Sequence, residues 1–318
     1  MKKLISILLV VMLLGTQLVF AEEKTSGDGP THFTFAQLSD ISIENVEKIS
    51  IGCSKCGLGL SEYFISSPLI ISEIFNAFKD MEFVEDTSDG SAGGWVYGIN
   101  FYMKDGTYIQ FGTRLHIDKV DYNAVFPDTA LEKMAYFHDL IENIDSSEWA
   151  TDYILECQEL DFLENVTDIS YKEPITREKF CEVLYNMYAK TTDNPTSWNI
   201  NMKMIFEDCH NEKVAILYLE DIIKGKGDMI FAPDDYLTRE EAATILVRYV
   251  NKFKPMPVHE VYFEYDDISE VSEWASNSVQ VISNLGIMEG VGENKFAPKD
   301  TYTAEQAIAT IMRLYNKK

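Results

Sequence analysis

The stretch Phe231-Ala232-Pro233-Asp234-Asp235-Tyr236-Leu237-Thr238-Arg239-Glu240-Glu241 runs directly into the apolar-periodic segment Ala242–Val250. Thr238 and Glu241 have the spacing of a capping box. The hydroxyl can accept an amide of the first helical turn, and the glutamate can reach back to the threonine amide. Pro233 and the two aspartates after it hold the chain extended or turned just before that point. A helix therefore starts at Arg239. A cation there faces the positive end of the helix dipole, so helix stability alone does not account for it. Free amides and a guanidinium in one place do suit an anion.

Outward from this stretch, the same helix start recurs. Thr176-Arg177-Glu178-Lys179 lies 62 residues before it and Thr303-Ala304-Glu305-Gln306 lies 65 residues after it. A repeat near 60 residues means a stacked supersecondary unit. Each start is preceded by a second helical pattern. In the first repeat it runs from Trp149-Ala150 through Tyr153, Ile154, Cys157 and Leu160; in the third it runs from Trp274-Ala275 through Val279, Ile282 and Leu285. The second repeat has Val214–Leu219 in that place, without a tryptophan. A glycine-bearing loop follows, Gly225-Lys226-Gly227 to Phe231-Ala-Pro233 in the second repeat and Gly290-Val-Gly292 to Phe296-Ala-Pro298 in the third.

The chain has 318 residues and is 46% hydrophobic and 12% aromatic, enough for two or three domains with their own cores. Lys2-Lys3, the apolar run Ile5–Leu14 and the small-residue site Val19-Phe20-Ala21 read as a secretory leader over residues 1–21. The formal charge is −25, and loss of Lys2 and Lys3 takes it to −25 − 2 = −27. That balance excludes nucleic acid and anionic lipid as general partners. The five cysteines are Cys53, Cys56, Cys157, Cys181 and Cys209. Cys53-Ser-Lys-Cys56 is one CxxC with no second pair or nearby histidine, which favours a local disulfide or ordinary turn cysteines over a zinc or redox site. Cys157 and Cys181 fall on apolar-periodic positions, as buried thiols do.

Residues 22–33 form a polar tether, and residues 34–144 form a small α+β domain with strands and helices segregated. Strands are expected at Val46–Ile51, Trp95–Met103, Tyr108–Leu115 and around Ile117–Tyr122, with a hairpin turn at Lys104-Asp-Gly-Thr107. Helices are expected after Ser67-Pro68 and after Pro127-Asp128. Trp95, Tyr97, Phe101, Tyr102, Tyr108 and Phe111 read as the core side of a sheet rather than a ligand platform. His32, His116 and His138 are scattered, and the segment shows no nucleophile motif, phosphate loop or HExxH.

The C-terminal hallmarks are an opening aromatic-x-Asp (Phe206-Glu207-Asp208, Tyr265-Asp266-Asp267), Trp-Ala entering the first helix, Gly286-Ile-x-x-Gly290, Phe-x-Pro and Thr-Arg-x-Glu. With these the region 145–318 resembles the S-layer homology family in three tandem copies, at 145–192, 206–253 and 263–318. The resemblance implies an all-α region of three helix–loop–helix repeats in a pseudo-threefold arrangement with grooves between neighbours. It also implies non-covalent anchoring of a secreted bacterial protein at the cell wall or S-layer surface, through a secondary cell-wall polysaccharide bearing pyruvate ketals. An arginine at a helix amino terminus fits a carboxylate, and a tryptophan fits a sugar face.

Repeat three has Ala304 in place of the arginine, repeat two lacks the tryptophan, and repeat one reads Glu164-Asn-Val-Thr-Asp-Ile-Ser-Tyr171 where the glycines and Phe-x-Pro belong. The expected polysaccharide contacts are therefore Arg177, Arg239, Trp149, Trp274, Asp208 and Asp267, and the capping residues are Thr176, Thr238, Glu241 and Thr303. No catalytic residue, metal site or cofactor is expected. Two other readings stay open: an exported enzyme or thiol-redox protein using Cys53 and Cys56, and a degenerate module serving protein–protein interaction only.

Overall fold

The computed structural model describes residues 8–10, 19–21, 32–34, 42–53, 61–79, 81–85, 97–111, 114–117, 120–125, 128–192, 205–257 and 265–317. The chain divides at Ile144/Asp145 into two units. Of the expected leader, the described parts are Leu8–Val10 (β1) and Val19–Ala21 (β2), which pair antiparallel. Most of the tether lies outside the described residues.

In the first unit, the strands are His32–Thr34 (β3), Val46–Cys53 (β4), Ser61–Ile65 (β5), Glu82–Glu85 (β6), Tyr97–Met103 (β7), Tyr108–Phe111 (β8), Arg114–Ile117 (β9) and Val120–Val125 (β10). They form two four-stranded antiparallel sheets, in the orders β3-β6-β10-β9 and β5-β4-β7-β8. Two helices, Pro68–Phe78 (α1) and Asp128–Asn143 (α2), pack on each other and on β4. Ser67 caps α1 by accepting the Ile70 amide, with Pro68 at the first position where no amide is needed. Period-2 alternation puts Ile49, Ile51, Ile99 and Phe101 on the buried face, against Ile70, Ile74 and Phe78 of α1.

The expected strand Tyr108–Leu115 is corrected. β8 pairs with β7 in one sheet and β9 pairs with β10 in the other. Gly112 and Thr113, between the two strands in sequence, lie outside the described residues. The aromatic run divides too. Phe101 is core, but Tyr102 stacks on Tyr108 on the other face, beside Phe64 and under Lys48. Trp95 and Cys56 lie outside the described residues.

The second unit is helical. Its helices are Glu148–Glu159 (α3) and Arg177–Thr191 (α4) in repeat one, Glu212–Leu219 (α5) and Arg239–Phe253 (α6) in repeat two, and Glu273–Asn284 (α7) and Ala304–Asn316 (α8) in repeat three. The second helix of each repeat starts on a threonine that accepts the amide three residues on: Lys179, Glu241 and Gln306. Glu241 and Gln306 complete capping boxes. After each first helix the chain turns through a left-handed residue, Asp161, Asp221 or Gly286. The loops of repeats two and three then form matching tight hairpins, Gly227↔Ile230 and Gly292↔Lys295, whose two central residues all have positive φ.

The most extensive helix packing runs between repeats. α4 lies on α5, α6 on α7, and α8 on α3. No helix among the described residues is long and apolar enough to cross a membrane.

Candidate functional site

The residues just before the three threonines meet in one place. The Leu237 amide donates to the Ile175 carbonyl (3.1 Å), the Tyr302 amide to Leu237 (2.8 Å) and the Ile175 amide to Tyr302 (2.8 Å). Three bonds close a ring through three repeats, and all three side chains are buried. Around this ring lie three seams, each between the second helix of one repeat and the loop and first helix of the next.

The first two amides of every second helix are spent across its seam. Those of Arg177 and Glu178 donate to Asp235 and Pro233 (2.9 and 3.1 Å), those of Arg239 and Glu240 to Asp300 and Pro298 (3.1 and 3.0 Å), and those of Ala304 and Glu305 to Glu173 and Tyr171 (3.0 and 2.8 Å). The threonine takes the third. The expectation of free amides open to an anion is corrected on this point, because the next repeat's carbonyls already satisfy them.

The arginines are placed in the same way. Arg239 is only 3% exposed; its Nε donates to the Phe296 carbonyl (2.7 Å) and its Nη2 to that of Glu289 (2.6 Å). The guanidinium lies over the Phe296 and Tyr302 rings. Burial pushes its pKa below the ordinary arginine value, while Tyr302, Tyr265, Asp300 and Asp267 pull it back up. Arg177, 5% exposed, repeats the arrangement one seam earlier, with Nε to Phe231 O (3.0 Å), Nη2 to Lys224 O (3.2 Å) and Glu241 at 3.5 Å. Each arginine thus grips the loop of the following repeat.

The aspartates hold the same peptide from the other side. Asp208 accepts the amides of Phe231 and Ala232 (2.8 and 2.7 Å), and Asp267 accepts those of Phe296 and Ala297 (2.9 and 2.7 Å). This fixes Ala232 and Ala297 at positive φ and aims the Phe231 and Phe296 carbonyls at the arginines. Burial works to raise the Asp208 pKa, but the two amides, with Arg177 nearby, outweigh it and leave it below the usual carboxylate value.

The tryptophans are different. Trp149 is 49% and Trp274 57% exposed, although both enter helices whose next residue, Ala150 or Ala275, is buried. Each stands two residues after a serine clasped from the neighbouring repeat. Glu305 accepts the amide and hydroxyl of Ser147 (2.8 and 2.9 Å), and Glu240 accepts those of Ser272 (both 2.9 Å). At the third seam Glu178 accepts from Asn211 (3.0 Å), and Lys213 replaces the tryptophan. These glutamates, at the second helical position, were missed in the sequence. Their only signal was their recurrence beside each threonine. A lysine joins two of the seams: Lys299 bonds Glu240 and Ser272, and Lys172 bonds Asp145 just ahead of Ser147. At the third seam the matching residue is Asp234.

The remaining cysteines are packing residues here. Cys157, Cys181 and Cys209 are buried free thiols, and burial pushes Cys181 up to about 12.

The second unit is thus a ring of interlocked helix–loop–helix repeats with an exposed tryptophan at each of two seams. Residues 210–243 and 264–308 match the model of the S-layer homology domain, so repeats two and three are S-layer homology repeats. The match marks residues 210–308 as a cell-surface anchoring segment. Similar proteins include the exoglucanase XynX of Acetivibrio thermocellus (28% identical over 196 residues, 60% of this chain and 17% of that protein). An endoglucanase of Bacillus sp. is 28% identical over 181 residues, 54% of this chain and 18% of that protein. A cell surface protein of Thermoanaerobacter kivui is 27% identical over 113 residues, 31% of this chain and 13% of that protein. The chain spans less than a fifth of the length of these relatives.

Proposed function

We propose that the second unit anchors a secreted, non-catalytic protein to a secondary cell-wall polysaccharide, with residues 34–144 as the displayed part. The observation that carries this reading is the pair of exposed tryptophans at matching positions, each two residues after a serine clasped by the neighbouring repeat. The loop residues Phe206, Phe231 and Phe296 are buried, and of the loop aromatics Tyr236 is exposed to a similar degree. A flat apolar face next to fixed hydroxyl and carboxylate groups suits a sugar ring. The closed ring of three amides supports a pseudo-threefold arrangement of the repeats. Trp149 with Lys172 and Trp274 with Lys299 make two sugar-binding seams. Their lysines, held by Glu240 and Ser272 and by Asp145 close in sequence to the tryptophans, are the cations for pyruvate-ketal carboxylates. Arg177, Arg239, Asp208 and Asp267 act behind them by fixing the loops. The third seam has Lys213 and Asp234 in place of the tryptophan and the lysine, and its exposed aromatic, Tyr236, stands at a different position.

The test is retention of the full chain on purified cell walls, before and after chemical removal of pyruvate. Replacing Trp149 and Trp274 together by Ala should abolish retention while helical content stays unchanged. Undiminished retention of the double variant overturns the platform. Equal retention on walls with and without pyruvate overturns the carboxylate part.

A further inference from the structure

The two tryptophan seams are built alike but held differently. Every seam has the same three backbone bonds: two from the helix start and one from the central ring. The seam of Trp274 also has the two Arg239 bonds to the Glu289 and Phe296 carbonyls. The seam between repeats one and two has the matching pair from Arg177. The seam of Trp149 has neither, because Ala304 stands where the arginine would be.

The loss has a counterpart on the other side of that seam. Repeat one's loop is two residues shorter, since Asp161 to Thr176 spans 15 positions and Asp221 to Thr238 spans 17. Its Glu164 carbonyl, third after the left-handed residue like those of Lys224 and Glu289, is taken by Asn186 Nδ2 at 2.9 Å. Asn186 also binds the Phe162 carbonyl at 2.8 Å, and Lys179 binds that of Asp168. These partners lie in repeat one, and Lys213 Nζ of repeat two also reaches the Glu164 carbonyl at 3.4 Å. The loop that repeat three would grip is therefore held by repeats one and two.

Cross-seam side-chain contacts persist at the far end of the helix pair. Arg313 Nε donates to the Tyr153 hydroxyl (3.1 Å), Asn316 to Glu156 (3.1 Å), and Tyr315 meets Phe162 edge-on. These lie between two and four turns from the start of α8. The pair α3/α8 is pinned at its C-terminal end; at the end where Trp149 stands Glu305 still holds Ser147, but the arginine clamp on the loop is missing.

We infer that the seam of Trp149 is compliant and closes on its ligand, whereas the seam of Trp274 is preformed. This rests on the wall-binding reading for the ligand, but not for the inequality of the seams. A ligand that bridges Trp149 and the Glu305 side of the seam supplies the contact that the missing arginine does not, and so stabilises the closed form by linkage.

Amide hydrogen exchange on the full chain, first without ligand, tests the inequality. The amides of Ala304 and Glu305 should exchange at least roughly tenfold faster than those of residues 239 and 240, the factor that loss of about one charged hydrogen bond gives. In Arg239→Ala, or Arg239→Lys if that variant fails to fold, residues 239 and 240 should speed up toward the rate of 304 and 305. Equal rates at the two seams in the unsubstituted chain overturn the inference. Purified wall polysaccharide should then slow 304 and 305 more than 239 and 240. If the unliganded rates differ but the polysaccharide changes none of them, the inequality stands and the wall-binding reading falls.

Discussion

Arg239 donates to carbonyls 50 and 57 residues further along the chain, and neither acceptor has another cross-seam donor among the described contacts. Removing it strands buried acceptors, each costing about 1–3 kcal/mol. Arg239→Ala should therefore lower stability by about 2–4 kcal/mol in a denaturant titration. Trp274→Ala, at an exposed position, should stay within about 0.5 kcal/mol. A reversal of that order would mean that the arginine is not a clamp. Asp208 gives a pH signature at the same scale. Its folded pKa is depressed, so its stabilisation is fully present above the unfolded carboxylate value near 3.8 and is lost as pH falls through the lower folded value. Thermal unfolding of Asp208→Asn and the unsubstituted chain should differ at pH 6, and the difference should shrink as pH falls through the depressed folded value.

At the scale of elements, the loop hairpins depend on one close approach. A Cβ on Gly290 would lie 2.5 Å from the Lys295 carbonyl oxygen and 3.0 Å from the Tyr265 ring. That carbonyl is fixed by the Val291 amide at 2.8 Å and cannot retreat without opening the hairpin. Gly290→Ala should cost about 1–3 kcal/mol as an overpacking defect, read from a shifted denaturation midpoint. These elements also show what could be read from the chain. Thr238, Glu241 and Ser67 announced their helices because a cap acts over three residues, a range that sequence displays directly. The alternation through Ile49, Ile51, Ile99 and Phe101 announced the core face of the sheet that holds β4 and β7 for a similar reason. Arg239 was legible as an oddity, but its use was not, since its acceptors belong to another repeat. Glu240 and Glu305 went unread because a glutamate in a first helical turn already has a local explanation. Tyr108–Leu115 looked like one strand because alternation does not reveal which sheet a strand joins.

Taken whole, the molecule carries a formal charge of −25, which opposes approach to an acidic polymer. Exposed charges are screened beyond about 8 Å at physiological salt, while contacts within a seam are not. Raising ionic strength from about 10 mM to 150 mM should therefore speed association with wall fragments and change dissociation little. A stopped-flow series in which association slows with salt would instead mean that the lysines beside the tryptophans dominate from a distance.

The closed ring at Ile175, Leu237 and Tyr302 also decides how the module responds to mechanical tension. Drag on the first unit enters the second at Asp145, the residue just ahead of Ser147 and α3, and α3 rests on α8. The pull therefore reaches the seam without an arginine before it reaches the two that have one. That seam can give way first under shear, with its far end still pinned by Arg313 and Asn316. The seam of Trp274 keeps its Arg239 clamp throughout, so on the wall-binding reading it would hold while the seam of Trp149 yields and re-forms.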